Sequence, residues 1–175
     1  KQYIFPNSQK DKKWKNIIDR SKINIGIAWK TKKNVQVQAR SIELDSFKEI
    51  SSLKNVSLYS LQIFDAEDEI KNKNPNLDLH IFNKDFDNDA PFIDTAAVIK
   101  NLDLVITIDT SIAHLAGALG CKTFLLLSDK PHWTWMLDKV DTPWYPSFKI
   151  YRKSKYQDWV NVFNKIKTDL GKIKK

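Results

Sequence analysis

The chain has 175 residues, of which 42% are hydrophobic and 29% are charged, a composition typical of one globular domain with a single core. No apolar run approaches the roughly 20 residues that a membrane-spanning helix needs, so we predict no membrane span. The single cysteine, Cys121, rules out an internal disulfide and favours a reducing compartment. Because the opening KQYIFPNSQKDKKWK also lacks the apolar region of a signal peptide, we predict a cytoplasmic location.

The net charge is +8, from 29 lysines and arginines against 21 aspartates and glutamates. Such a chain favours an anionic partner: a nucleotide, a nucleic acid or a membrane surface. The lysines are scattered, however, which is typical of a solvated surface. Nucleic-acid binding needs a basic stripe with interleaved aromatic residues or a known module. Neither is visible, so we predict no nucleic-acid partner.

Strand-like and helix-like patterns alternate along most of the chain. Residues 1–21 are predicted to form a linker with a short helix, and residues 22–175 to form one domain. Apolar and β-branched runs predict strands at 22–29, 56–62, 77–82, 103–109, 122–128 and 148–152. Helical spacing predicts helices at 42–53, 66–73, 94–102, 111–120 and from about 157, with Asp94 as an N-cap and Gly120 as a C-cap signal. This alternation predicts an α/β fold, a Rossmann-like three-layer domain with a mostly parallel sheet.

Ligands of such sheets bind beyond the carboxyl ends of the strands, where loops lead into helix N-termini. The segment DLVITIDTSIAHLAGALG carries the sharpest signal, because a buried strand ends at Asp109 and a helix starts directly after it. The N–H groups of the first helical turn lack partners within the helix and attract an anion, together with the helix dipole. The hydroxyls of Thr110 and Ser111 can donate to phosphate oxygens. His114, one turn further on the same side, can donate to a pyrophosphate.

The same residues also allow simpler interpretations. The three residues at the turn are favoured N-cap types and could serve only as a cap. A lone histidine on a half-buried helix is more often a hydrogen-bonded core residue than a ligand. The chain contains no dinucleotide-binding, P-loop or nucleophile-elbow motif. The three histidines have no metal-ligand spacing with Cys121, so we predict neither a metal nor a cofactor.

Around this motif the sequence resembles a known family. The segment FIDTAAVIKNLDLVITIDTSIAHLAGALGCKTFLLLSDKPHWTWMLDKVDTPWYPSFKIYR is similar to the C-terminal half of heptosyltransferase-like enzymes, glycosyltransferase family nine. It looks most like the version fused to tetratricopeptide repeats in bacteria. The resemblance extends back through IGIAWK, ARSIELDSFKEI and SLYSLQ and covers roughly residues 22–165, with residues 94–151 as its most specific part.

The resemblance implies a GT-B architecture, in which two Rossmann-like domains face each other across a cleft. It implies that the C-terminal domain binds the nucleotide-sugar donor, while the N-terminal domain supplies the acceptor site and the catalytic base. Members of the family are inverting and need no metal. Their D-T-[GS]-x-x-H segment holds the donor pyrophosphate, and here it corresponds to Asp109, Thr110, Ser111 and His114.

The resemblance also implies a basic phosphate contact in the loop that follows the first strand. Arg40 of ARSIEL aligns best there, and it suits bidentate contact with phosphate oxygens, although it could also be a solvated loop arginine. Lys30 is a second candidate in the same loop. Gln62 stands where many heptosyltransferases have a glutamate that touches the donor. The loop at 129–147 could stack on a base or sugar, or only pack over the core, through His132, Trp133, Trp135, Trp144 and Tyr145.

We therefore predict that the chain is the donor-binding domain of an inverting, metal-independent GT-B glycosyltransferase. The expected partners are a nucleotide-diphosphate sugar and an N-terminal acceptor domain, which we do not recognise in the sequence. The chain alone is expected to bind a nucleotide-sugar weakly and to transfer nothing. The alternative is a non-catalytic Rossmann-like interaction module. The base and the sugar of the donor, and the acceptor, stay open.

Overall fold

The computed structural model of the protein describes residues 2–31, 40–62, 69–70, 77–156 and 158–173. Its centre is a sheet of six strands, all parallel, in the order β3-β2-β1-β4-β5-β6. The strands are β1 Ile23–Ala28, β2 Val56–Ser60, β3 Leu79–His80, β4 Leu104–Ile108, β5 Thr123–Leu127 and β6 Phe148–Arg152. Apolar runs form these strands because β-branched residues fit a pleated sheet that is buried on both faces.

Helices cover both faces of the sheet. The described helices are α1 Ser8–Ile17, α2 Lys48–Ser51 (which continues the 3-10 helix Leu44–Phe47), α3 Ile93–Asn101, α4 Ser111–Ala118 and α5 Val160–Leu170. Apolar residues of α2 and α5 share one core cluster, and those of α1, α3 and α4 share a second. A third, smaller cluster joins Ala113 of α4 to Trp135 and to residues of β5 and β6. The predicted three-layer α/β fold with a parallel sheet is therefore confirmed.

The core follows the alternation of side chains along each strand. In β4, Ile106 packs with the α2 and α5 layer, and its neighbour Val105 packs with the α1, α3 and α4 layer. Both side chains are fully buried, because a central parallel strand has helices on its two sides. The sheet is thus a rigid support for the loops at its carboxyl ends.

Helix α1 is fastened to α3 through one buried carboxylate. Asp94 has no solvent exposure, and it accepts hydrogen bonds from Trp14 Nε1 at 2.7 Å and from Lys10 Nζ at 2.9 Å. Burial alone would raise the pKa of Asp94, but these hydrogen bonds hold it below its ordinary value. The segment before the first strand therefore packs on the domain through Trp14, and Ile18 is buried beside it.

The predicted N-cap role of Asp94 is wrong. Helix α3 begins one residue earlier, after Phe92, and Asp94 lies inside the first turn. The side chain of Asp87 supplies the cap instead, since its Oδ1 accepts from the amides of Asp94 at 2.6 Å and Thr95 at 3.0 Å. The carboxylate of Asp87, in the preceding loop, accepts the hydrogen bonds from these amides. The side chain of Asp94 is therefore free to contact α1.

The C-cap prediction at Gly120 is confirmed. Gly120 has a φ of +68°, in the left-handed region that favours glycine, and the amide of Cys121 donates to Ala116 O at 2.9 Å. Most of the predicted helix at 66–73 and of the loop that follows the first strand, residues 30–41, lies outside the described residues. None of the helices in the described ranges is long and apolar enough to cross a membrane.

Candidate functional site

The strand order reverses beside β1. The chain builds outwards from β1 through β2 to β3, and then crosses to β4 on the other side of β1. The loops after β1 and β4 therefore leave the sheet in opposite directions and open a crevice between them, which is the usual ligand position in open parallel sheets.

A cavity of about 290 Å³ occupies this crevice. Five of the seven sequence-predicted residues line it: Lys30, Gln62, Asp109, Thr110 and Ser111. The remaining lining is mostly apolar and consists of Ala28, Thr31, Leu61, Phe92 and Ile112. One wall is therefore polar and contains a helix N-terminus, and the rest suits a flat, uncharged group.

The polar wall is the start of α4. Thr110 is the N-cap residue, with extended backbone, and its carbonyl accepts from the amide of Ala113 at 3.0 Å. The amides that precede Ala113 in the helix have no partner within it. Among the described residues, the Thr110 hydroxyl is a buried oxygen with no hydrogen-bond partner, and it does not cap the helix. A buried hydroxyl without a partner costs free energy, so a ligand atom that hydrogen-bonded to it would be favoured at this wall.

Arg40 reaches this wall from the loop after β1. Its Nη1 donates to Asp109 Oδ2 at 3.0 Å, and the side chain of Asp109 is only 9% exposed. A carboxylate cannot donate to a phosphate and would repel it, so Asp109 serves as the acceptor that holds the guanidinium. The structure brings Arg40 and Asp109 together although 69 positions separate them.

Lys30 lines the cavity and is also paired with a carboxylate. Its Nζ donates to Glu69 Oε2 at 2.6 Å, and its backbone amide donates to Gln62 Oε1 at 3.0 Å. Trp29 Nε1 donates to the same Glu69 oxygen at 3.2 Å. Glu69 is buried, and it offsets the charge of Lys30 at close range. Gln62 thus positions the loop after β1 through its side-chain oxygen.

His114 does not belong to the cavity lining. It is exposed on α4 and faces the loop after β5, where its Nδ1 is 3.0 Å from Tyr145 Oη and its ring stacks on Trp135 at 5.1 Å. Burial, together with a hydrogen bond to Tyr3, raises the pKa of Tyr145 to about 12, so its phenol stays protonated at neutral pH. His114 lies one turn along α4 from Thr110, and its contacts with Tyr145 and Trp135 place the imidazole against the loop after β5.

Two residues of the site carry no sequence signal. Glu69 lies in the weak charged helix pattern, and nothing local shows that it meets Lys30. Phe92 lines the cavity with a φ of +66°, which is uncommon for a residue with a side chain and is the kind of strain that clusters at functional sites. Across the described part of the chain, no group of three or more His, Cys, Asp or Glu side chains is arranged to hold a metal ion.

The chain is similar in sequence to a known bacterial protein. Protein FlbA of Caulobacter vibrioides is 29% identical over 148 residues, which are 83% of this chain and 24% of FlbA. The chain thus spans about a quarter of the length of that relative. No protein-family model matches the chain.

Three solved structures share the fold at 11% sequence identity. One is a glycosyl transferase family 9 protein from Veillonella parvula, with a TM-score of 0.60 over 99% of this chain and 47% of its own. The other two are E. coli proteins. The heptosyltransferase WaaC, solved with ADP-2-deoxy-2-fluoro heptose, has a TM-score of 0.63 over 93% of this chain and 47% of its own. The ADP-heptose lps heptosyltransferase II has a TM-score of 0.65 over 97% and 53%. The chain therefore has the fold of about half of a family 9 glycosyltransferase.

Proposed function

We propose that the chain binds the diphosphate of a nucleotide-sugar at the N-terminus of α4, as the donor-binding half of an inverting, metal-independent GT-B glycosyltransferase. The observation that carries this proposal is the buried, unpartnered hydroxyl of Thr110 beside the free amides of α4, at the edge of a cavity where the strand order reverses. Buried polar groups are normally satisfied, and a phosphate oxygen would satisfy this one.

The cavity has a polar part and an apolar part, which suit different parts of the nucleotide-sugar donor. The start of α4 and Arg40 suit the diphosphate, because amides, hydroxyls and a guanidinium are all donors. The apolar lining around Leu61, Phe92 and Ile112 suits the nucleoside. When the bond between sugar and phosphate breaks, negative charge grows on the diphosphate, and these fixed donors would stabilise it. We assign the base that activates the acceptor to an N-terminal acceptor domain.

A cation is needed beside the diphosphate, and Arg40 fits this role better than Lys30. Arg40 lies outside the cavity lining, but it is held beside the polar wall by Asp109, which lines the cavity. Lys30 is instead held by the buried Glu69, which does not line the cavity. We propose that Lys30 and Gln62 shape the wall and that Arg40 contacts phosphate.

A non-catalytic interaction module is the second candidate. The observation that favours it is that Lys30 and Arg40, the cations that the described residues place at or beside the cavity, are already paired with carboxylates. Such pairing lowers the attraction for a free anion.

Isothermal titration calorimetry with a nucleoside, its monophosphate and its diphosphate, for uridine, adenosine and guanosine, separates the two candidates. The donor-binding proposal expects saturable binding of at least one diphosphate, and about tenfold weaker binding of its monophosphate, because the second phosphate adds charge-assisted hydrogen bonds. Absence of binding by all three diphosphates would leave the interaction module.

A further inference from the structure

The imidazole of His114 is held by two rings of the loop after β5. Its Nδ1 is 3.0 Å from Tyr145 Oη, and its ring stacks on that of Trp135 with the ring centres 5.1 Å apart. Trp135 is buried, so one face of the imidazole rests on the core although His114 itself is exposed. Because Nδ1 is engaged by Tyr145, Nε2 is the ring nitrogen left for a ligand.

Tyr145 is itself held in place. Its ring lies so close to the backbone of α4 that a Cβ at Gly117 would be 2.4 Å from it. Its ring centre is 4.9 Å from that of Phe148, and its carbonyl accepts from the Phe148 amide at 3.0 Å. These contacts restrict the ring, so the hydroxyl of Tyr145 is positioned beside Nδ1 of His114 before any ligand binds.

The direction of the hydrogen bond between these two side chains decides what Nε2 can do. If Tyr145 donates to Nδ1, the single proton of the neutral imidazole is on Nε2, which is then a donor. If Nδ1 donates to Tyr145, Nε2 can only accept. A phenol is a stronger acid than a neutral imidazole, and an imidazole nitrogen is a stronger base than a phenol oxygen, so donation by Tyr145 is favoured.

The environment of Tyr145 agrees with this direction. Burial, together with a hydrogen bond to Tyr3, raises the pKa of Tyr145 to about 12, so the phenol keeps its proton at neutral pH. Tyr3 is 61% exposed, so water can satisfy its hydroxyl whichever way it turns. Tyr3 therefore does not compel Tyr145 to donate away from His114.

The position of His114 on α4 relates Nε2 to the proposed anion site. Helix α4 begins at Ser111, which lines the cavity, and His114 follows three residues later. Three residues of an α-helix span about 4.5 Å along its axis. Helical side chains lean towards the N-terminus of their helix, so the ring of His114 belongs to the turn that carries the free amides. A diphosphate at these amides would be within reach of a donor on Nε2.

We propose that Tyr145 is a positioning residue for the anion site: its hydroxyl donates to Nδ1 of neutral His114 and holds the imidazole in the tautomer with the proton on Nε2. Nε2 then donates to a phosphate oxygen beside the first turn of α4. This role in binding rests on the proposed function, whereas the tautomer is a property of the free chain. A phenylalanine in place of Tyr145 would keep the ring and lose control of the tautomer.

Long-range proton–nitrogen NMR spectra of the free chain test the tautomer, at pH ~8 where histidine is ordinarily neutral. Protonated and unprotonated imidazole nitrogens differ widely in their nitrogen chemical shifts. We expect Nδ1 of His114 to have the shift of an unprotonated nitrogen and Nε2 that of a protonated one. The chain has three histidines, so the signals of His114 are those that His114→Ala removes. In Tyr145→Phe the two shifts should move towards each other, because both tautomers are then populated.

Calorimetry with UDP, ADP and GDP tests the role in binding. Tyr145→Phe should weaken the binding of the preferred diphosphate about two- to fivefold, because a fraction of the imidazoles then presents no donor. His114→Ala should weaken it about tenfold. In the His114→Ala background, Tyr145→Phe should have no further effect, since Tyr145 acts through His114. A Tyr145 that only supports the fold would lower the affinity equally in both backgrounds.

Tyr151→Phe is the matched control, because it removes another phenol hydrogen bond, from Tyr151 Oη to Asp169 Oδ2 at 2.7 Å. It should leave both the signals of His114 and the diphosphate affinity unchanged. An unprotonated Nε2 in the free chain, unaltered shifts in Tyr145→Phe, or equal losses of affinity in both backgrounds would each overturn the proposal. Absence of diphosphate binding would overturn the proposed function and the positioning role with it, while the spectra would still report the tautomer.

Discussion

Arg40 and Asp109 join the two loops that border the cavity, through a hydrogen bond of 3.0 Å between Nη1 and Oδ2. One loop follows β1 and the other follows β4, which are neighbours at the point where the strand order reverses. The pair is partly buried, so solvent screens it less than a surface ion pair. The guanidinium of Arg40 would attract a diphosphate, whereas the carboxylate of Asp109 would repel it.

Opposite effects are expected from the two halves of this pair. Arg40→Gln should weaken diphosphate binding about tenfold or more, since it removes charge-assisted hydrogen bonds. Asp109→Asn should strengthen binding about three- to tenfold, because the amide oxygen still accepts from Arg40 while the like charge disappears. Calorimetry with both variants checks this. A loss of affinity in Asp109→Asn as large as in Arg40→Gln would show that Asp109 does more than hold the guanidinium.

The Thr110 hydroxyl should matter for binding and not for folding. Thr110→Val keeps the shape and removes a buried oxygen that has no partner, so the free energy of unfolding should stay equal or rise. Diphosphate affinity should fall about ten- to hundredfold, the value of one hydrogen bond to a charged group. Thr168→Val on α5 is the control, because that hydroxyl lies outside the cavity and bonds to Asn164 O. Unchanged affinity in Thr110→Val would remove the main support for the anion site.

The ring of Tyr145 leaves no room for a side chain at Gly117. A Cβ at Gly117 would come within 2.4 Å of the Tyr145 ring. Gly117→Ala should therefore displace Tyr145 and lower the free energy of unfolding by about 1–3 kcal/mol, measured by urea denaturation. Gly171→Ala is the control, since its Cβ finds ordinary contacts of 3.5 Å or more and its φ of −61° suits alanine. That variant should stabilise by about 0.4–1 kcal/mol. Equal stability of the two variants would contradict the close approach.

Asp94 should make the protein acid-sensitive. Its pKa is held below the ordinary value of about 4, so its contribution to stability is present above pH ~4 and is lost as the pH falls through the lowered pKa. Asp94→Asn should lower the free energy of unfolding by about 1–3 kcal/mol at neutral pH, because the hydrogen bond from Lys10 loses its charge partner.

Urea titrations between neutral pH and pH ~3 measure this difference, which should shrink as Asp94 becomes protonated. The exposed Asp78 supplies the control variant Asp78→Asn, which should match the unchanged chain at every pH. A constant difference between Asp94→Asn and the unchanged chain across this range would contradict the assignment.

The sequence predicts those features of the fold that depend on residues close together in the chain. The strands and the tight turn at Asp109 follow from apolar runs and N-cap residues that stand next to each other in sequence. The left-handed Gly120 was likewise predictable from its position after an apolar helix.

Contacts between distant segments were not predictable. Lys30 meets Glu69 across 39 positions, and His114 turns towards Tyr145 across 31. These pairings depend on how β1, β2 and the loop after β5 come together, and a pattern of hydrophobic residues carries no information about it. The same limit applies to Asp94, because the cap of α3 comes from Asp87 in the preceding loop and the side-chain partners of Asp94 lie on α1.

The pairing of both cations at the cavity with carboxylates has a consequence for recognition. Lys30 with Glu69, and Arg40 with Asp109, are two neutral pairs, so these described side chains give the crevice little net charge at a distance. A charged ligand would then be recognised at short range, by the positions and directions of the hydrogen-bond donors. Its association rate should depend only weakly on ionic strength. Small inorganic anions, which cannot fill the apolar part of the cavity, should therefore compete poorly for this position.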